Sequence, residues 1–349
     1  GPWDGTPAWA NSRSSPTQVG TDTTWTRLEG TSGEGNTSLA LKSDGTLWMW
    51  GQNSQGQSAQ NDTAQRSSPT QVGTDTTWTV GNANRVGVLG TKKDGTMWGW
   101  GSNAYGTLGQ NDTTQYSSPT QVGSGTDWGT KKYQLGGSWT IGAAIKTDGT
   151  LWTWGAQGSY GELGHNNRTN YSSPRQVGTD TSWRSIGGGY GTTLATKTDG
   201  TLWSWGRNSD GTLGLNDEGI ARSSPTQIPG TTWSEVTSYG GWQTMGVMKT
   251  DGTLWSWGNN SYGPIGRNDT LDRSSPTQVP GTNWKMCDRG DNGSVGAVKT
   301  DGTLWTWGYA GYGVLGQNVN APLSSPMQIP GTTWNEVSVN TTTMLALKS

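Results

Sequence analysis

Asp199-Gly200-Thr201-Leu202-Trp203-Ser204-Trp205-Gly206 is the stretch whose reading decides the fold. Its core, Trp-x-Trp-Gly, occurs six times, at Trp48, Trp98, Trp152, Trp203, Trp255 and Trp305. The steps between copies are 50, 54, 51, 52 and 50 residues. Self-similarity at such a period marks a propeller or another repeat architecture. Two further landmarks occur seven times. One is Ser-Ser-Pro-x-Gln, with its prolines at Pro16, Pro69, Pro119, Pro174, Pro225, Pro276 and Pro326. The other is a lone tryptophan eight or nine residues later: Trp25, Trp78, Trp128, Trp183, Trp233, Trp284 and Trp334. Seven copies predict seven repeats.

Each repeat reads as four short strands, A to D. In the first they cover residues 25–29, 38–42, 47–51 and 69–72. Alternation places Leu39 with Leu41 on one face, and Trp48 with Trp50 on another. Asp44-Gly45 is the preferred dipeptide of a two-residue hairpin with both residues at positive φ. Proline in strand D suits an outer edge, where no ladder partner is lost. Four-stranded blades arranged radially make a β-propeller, and a linear solenoid is the rival. The ends favour a ring. The chain stops after Leu345-Ala346-Leu347-Lys348-Ser349, and Asp4-Gly5-Thr6 follows Gly1-Pro2-Trp3 at the start. The expected fold is therefore an all-β, seven-bladed propeller of four-stranded blades, one domain over residues 1–349. Blade seven is expected to combine residues 334–349 with 1–19, with Trp9-Ala10 standing for the second Trp and the Gly. Almost nothing between Ala10 and Ser14 replaces the long C–D loop, which predicts a notch in the rim.

Composition fits this. Only 29% of residues are hydrophobic and Phe is absent, yet there are 23 Trp. Each buried Trp removes on the order of 200 Å² from water, roughly 5 kcal/mol gross at 25 cal/mol/Å². Tryptophan thus replaces an aliphatic core. A net charge of -2 and a pI near 5.5 argue against nucleic acid, which needs a basic face. No apolar run is long enough for membrane insertion. The N-terminus lacks the pattern of a signal peptide. Cys287, the sole cysteine, excludes an internal disulfide.

The pattern S-L-A-L-K-[ST]-D-G-T-L-W-x-W-G-x-N-x-x-G-x-L-G resembles the RCC1 repeat family. Its best copies run from Asn103 to Gly109, Asn208 to Gly214 and Asn260 to Gly266, whereas Ser58 and Ala59 replace Leu-Gly in the first. The resemblance implies a seven-bladed propeller with one blade split between the termini. It also implies a function in binding proteins. Family members include nucleotide-exchange factors, a plant ultraviolet receptor, ubiquitin-ligase domains and a β-lactamase inhibitor. Photoreception is disfavoured here, because 19 of the 23 Trp sit at repeated framework positions.

Alternating strand directions put the A–B and C–D loops on one face and the B–C and D–A turns on the other. The B–C turns are uniform, from Asp44-Gly45 to Asp301-Gly302. The A–B segments all differ. They carry Glu34, Arg85, Trp139, Tyr190, Tyr239, Trp242, Asp288, Arg289 and Asp291. The C–D loops add Tyr105, Tyr160, Tyr262 and Tyr312 at one equivalent position. Loops on a rigid scaffold are the usual home of function. Exposed aromatics among charges suit a protein hot spot or the stacking of a glycan. These residues are the expected binding surface; padding of the loops beneath is the alternative for the tyrosines.

Catalytic chemistry is sparse. His165 is the only histidine, so no His-based metal cluster or triad is expected. It reads as an exposed polar residue, and Cys287 as a buried apolar one. Asp-Gly-Thr-Leu-Trp lacks the spaced ligands of a calcium loop. A glycosidase needs two carboxyls about 5–10 Å apart; only Glu34, Asp288 and Asp291 are candidates. The expectation is a non-enzymatic propeller without cofactor or metal that recognises a protein or glycan. The alternative is a structural component of a virion, phage tail or cell-surface assembly, self-associating through the notch or uniform face. Wealth in Gly, Thr and Asn suggests an extracellular or virion-surface setting.

Overall fold

The computed structural model describes residues 12–29, 37–83, 87–138, 140–156, 158–237 and 243–349. Among these, the strands form six four-stranded antiparallel sheets and one two-stranded sheet. Blade one comprises Trp25–Glu29, Thr37–Lys42, Leu47–Gly51 and Arg66–Gln71. Blades two to six begin at Trp78, Leu135, Trp183, Trp233 and Trp284. The last hairpin, Trp334–Val339 with Met344–Lys348, packs against blade six on one side and blade one on the other. Leu28 N–H donates to Glu336 Oε2 at 2.6 Å, and Ser338 Oγ to the Glu29 carbonyl at 3.2 Å. The ring is closed.

The expected seventh four-stranded blade is corrected: the structure has six blades. Residues 12–24 form no strand, and residues 1–11 lie outside the described residues. Strand D pairs with strand C beside the terminal glycine of Trp-x-Trp-Gly, which adopts φ of 89–107° in all six blades. A Cβ on Gly155 would come within 2.2 Å of the Thr140 carbonyl oxygen. The N-terminal copy carries Ala10 at that place in the sequence, and alanine disfavours such a φ. Ser14 nevertheless docks as its counterparts do, its carbonyl accepting from Asn318 N–H at 3.0 Å.

Two local expectations are refined. Strand D starts earlier, at Arg66, because the glycine pairs across a bulge with that residue. The proline then lies within an edge strand, where its missing donor costs no ladder bond. The Asp-Gly turn has only glycine at positive φ (Gly45, 80°), and Gly45 N–H donates to the Lys42 carbonyl at 3.0 Å. This is a type I turn with a glycine bulge. Asp44 prefers it because Oδ1 then accepts both the Thr46 N–H and the Thr46 hydroxyl, at 2.9 and 2.7 Å.

The core lies between blades. Leu39, Leu47, Met49 and Val72 of blade one pack on Trp78, Val88 and Trp100 of blade two. Polar bonds fix each junction. The second Trp of each motif in blades two to six donates its indole N–H to a C–D loop carbonyl of the preceding blade. The pairs are Trp100 to Gln57, Trp154 to Thr107, Trp205 to Glu162, Trp257 to Thr212 and Trp307 to Pro264, at 2.8–2.9 Å. A loop asparagine then donates its backbone N–H to the next strand D: Asn61 to Ser117, Asn111 to Ser172, Asn166 to Ser223, Asn216 to Ser274 and Asn268 to Ser324.

The first Trp acts within its blade. Trp203 Nε1 donates to Thr201 Oγ1 at 2.9 Å, and Thr201 Oγ1 to Asp199 Oδ1 at 2.7 Å. Hydrogen bonding to Thr201 holds the Asp199 carboxyl below its ordinary range. Lys197 Nζ stands 4.0 Å from the Trp203 ring and 4.7 Å from that of Trp183, and pairs with Asp180 at 2.6 Å. Such a cation over an indole contributes about 0.5–2 kcal/mol according to its desolvation.

Trp154→Phe keeps most of the ring but removes the indole donor to the carbonyl of buried Thr107. It is expected to cost about 1–3 kcal/mol in urea unfolding. Trp203→Phe, at a half-buried site, is expected to cost less.

Candidate interaction surface

The variable loops share one side. Arg207, in the C–D loop of blade four, lies over Tyr190 of that blade's A–B loop at 4.5 Å and over Tyr160 of blade three's C–D loop at 5.6 Å. Tyr105, Tyr160, Tyr262 and Tyr312 are 47, 40, 48 and 49% exposed. An asparagine braces the loops of Tyr105 and Tyr262, and Gly158 and Ala310 stand at its place in the loops of Tyr160 and Tyr312. In blade two, Asn103 Oδ1 accepts from Leu108 N–H at 2.9 Å and Asn103 Nδ2 donates to the Asp112 carbonyl at 3.0 Å. Tyr262 meets Tyr309 edge-on at 5.1 Å, and so does pack on its neighbour while remaining half exposed.

Beneath Tyr160 and Tyr190 lies Glu162, whose carboxyl burial pushes up to about 7 against the pull of backbone N–H groups and Arg207. Its equivalents are Gln57, Thr107, Thr212, Pro264 and Val314, so this acid is particular to the junction of blades three and four.

Asp288, Arg289 and Asp291 are not exposed; at 5, 1 and 7% they are buried. The innermost strand of blade six, Trp284–Arg289, runs on through Asp288 and Arg289, positions expected in a loop, and Asp291 lies in the turn that follows. Asp288 accepts from Arg289 N–H and from Val339 N–H of the last hairpin, both at 2.9 Å. Arg289 donates to the Pro264 carbonyl at 3.1 Å. These groups hold blades together. Glu34, Arg85, Trp139, Tyr239 and Trp242 lie outside the described residues.

An unexpected feature occupies the centre of the ring. A 3-10 turn, Lys132–Gln134, precedes the inner strand of blade three. Lys132 Nζ donates to the Leu28 carbonyl of blade one at 2.7 Å and pairs with Glu336 of the last hairpin. Glu29, beside them, sits 3.4 Å from Arg27 Nε. Burial pushes the Glu29 carboxyl up to about 7, opposed by Arg27 and Lys132. Burial likewise raises Asp288 to about 6. The sequence signal for this turn is the 54-residue step to Trp152, longer than any other.

His165 is half-buried rather than exposed: its ring meets Tyr171 edge-on at 5.3 Å, and Nε2 lies 3.1 Å from Thr153 Oγ1. Cys287 is buried, and burial pushes its thiol up to about 11. Among the described residues no group of three His, Cys, Asp or Glu is placed to hold a metal ion. No helix among the described residues is long and apolar enough to cross a membrane.

Two titrations follow. Burial disfavours ionised Glu29, so the unfolded chain loses this proton first. The stability Glu29 contributes is complete below about pH 4.5 and is lost as pH rises toward about 7. Between pH 5 and pH 8 the melting temperature of Glu29→Gln should therefore move upward relative to the parent. Burial lowers His165 from 6.5 to about 4, so its contribution is complete above 6.5 and is lost as pH falls toward 4. The single histidine signal in proton NMR should titrate near 4.

Comparison with known proteins agrees with this architecture. The model of the "Regulator of chromosome condensation (RCC1) repeat" matches residues 94–137, 148–196, 199–247 and 251–295, more than half the chain. An RCC1 domain-containing mitochondrial protein of Arabidopsis thaliana, RUG3, is 37% identical over 157 residues, 42% of this chain and 34% of that protein. The ultraviolet-B receptor UVR8 of the same plant is 32% identical over 150 residues, 39% of this chain and 31% of that one. The matches span about a third of each relative. Human WBSCR16 superposes with a TM-score of 0.80 at 18% identity, covering 96% of this chain and 89% of its own. Yeast RCC1 (Prp20), solved bound to Kap60, gives 0.78 at 19%, covering 93% and 80%. These two show the fold. A mitochondrial relative points away from the extracellular or virion-surface setting expected from composition. The Gly, Thr and Asn behind that expectation serve turns and inter-blade bonds in every repeat, so their abundance reflects the architecture and not the compartment. With its family model matched over four successive repeats, the chain belongs to the RCC1 repeat family.

Proposed function

We propose that this chain is a non-enzymatic binding propeller whose A–B and C–D loop face docks a protein partner. The observation that carries this reading is the exposure of Tyr105, Tyr160, Tyr262 and Tyr312 at one equivalent position of the C–D loops, while the framework tryptophans are largely buried. Rigid, half-exposed aromatics lose little side-chain entropy on binding and offer large contact areas, which makes them effective anchors. Tyr190 and Arg207 add an aromatic–cationic patch between blades three and four. Trp139, Trp242, Tyr239, Glu34 and Arg85 extend the proposed surface by their place in the A–B segments. A protein is preferred to a glycan because yeast RCC1, of the same fold, is seen bound to a protein.

The test is cross-linking in the source organism followed by measurement of affinity for the captured partner. Changing Tyr105, Tyr160, Tyr262 and Tyr312 together to Ala should weaken binding at least tenfold, with an unchanged melting temperature. Saturable binding on a glycan array without any protein partner would overturn the choice of ligand, and turnover of any substrate the non-enzymatic reading.

A further inference from the structure

Blade one differs from the other five on the flank that faces the last hairpin. In blades two to six this flank is covered by the C–D loop of the preceding blade. The loop asparagine donates to a strand D carbonyl, and a loop carbonyl accepts from the second Trp. The loop glycine lies so close to the strand that a Cβ on Gly106 would fall 2.8 Å from Ser172 Cα. The corresponding groups of blade one are Ser67 and Trp50. Ser67 is exposed, whereas Ser117, Ser172, Ser223, Ser274 and Ser324 are half-buried. Trp50 is half-buried, whereas Trp100, Trp154, Trp205, Trp257 and Trp307 are completely enclosed. A cavity of about 420 Å³ opens at this place, lined by Gly51, Gln52, Gln65, Arg66 and Ser67. In the sequence only three residues separate Ala10 from Ser14, where the other repeats carry the long C–D loop.

We propose that this flank is a docking site for a protein loop of the Asn-x-x-Gly-x-Leu-Gly-x-Asn type supplied by another polypeptide. The molecule displays the cognate ligand at its own junctions, so the chemistry of the occupant is specified. Its last asparagine N–H donates to the Ser67 carbonyl. Its glycine permits close approach to Ser67. The carbonyl of the residue after that glycine accepts the Trp50 indole N–H. A second copy of this chain is a poor occupant, because the C–D loops of blades one to five are each held by the next blade and that of blade six by Ser14. The site lies on the rim, apart from the tyrosines of the loop face, and does not depend on their role.

The probe is a cyclic peptide of residues 102–112, closed to hold the loop conformation and so limit the ordering cost of binding. It is titrated into the full chain while the indole N–H signals are followed by NMR, with Trp50 assigned from Trp50→Phe. A saturable shift at Trp50 is expected, weakened at least tenfold when the peptide carries Gly106→Val. Because that change is in the peptide, folding of the protein is untouched. No shift at millimolar peptide, or equal binding of the two peptides, overturns the proposal. So does a Trp50 signal that responds to removal of residues 1–11 but not to peptide, since the chain's own N-terminus would then fill the site.

Discussion

The structure depends on one repeated hydrogen bond, from the indole N–H of the second Trp in five of the six motifs to a carbonyl in the preceding blade's loop. A four-stranded blade is too thin to enclose a core of its own. Its apolar side chains are buried only by its neighbours, and the junction must be fixed in angle as well as in area. Trp100, Trp154, Trp205, Trp257 and Trp307 do both, filling the gap with a ring and pinning it with a donor. Phenylalanine supplies the ring without the donor, which accounts physically for tryptophan at these five positions.

The other conserved elements of the repeat support that bond. Lysine, two tryptophans and an aspartate form a stacked unit on the opposite side of each blade, with the lysine stem along the rings and its charge met by acid in blades one to four. Blades five and six replace the Gly-Thr-Asp-Thr turn with Pro-Gly-Thr, and the lysines there keep only the indoles. This side is uniform because its geometry is spent on stability. The other side carries Tyr190, Arg207 and the half-exposed tyrosines, where side chains are free to differ.

Closure of the ring is the exception to the repeat. Among the described residues the last hairpin is two-stranded, and side-chain bonds to both neighbouring blades fix it in the ring. Glu336 accepts from the backbone of blade one, Asp288 from the hairpin, and Lys132 reaches both across the centre. Burial raises the carboxyls drawn inward this way, against the pull of Lys132, as Glu29 and Asp288 show.

The sequence by itself determined the blade: its four strands, the glycine of its hairpin, and the family, since all of these rest on contacts within about 50 residues that recur and so announce themselves. It also located the exposed tyrosines of the C–D loops. It placed Asp288 and Arg289 in a loop, because where an inner strand ends and a loop begins depends on the neighbouring blade. It passed over Lys132 and Glu162, each of which occurs once and has no repeat to mark it. The number of blades, the burial of the axial charges and the open flank at Trp50 were decided only by tertiary structure. They follow from how the first and last repeats meet, through pairings more than 300 residues apart that no local pattern encodes.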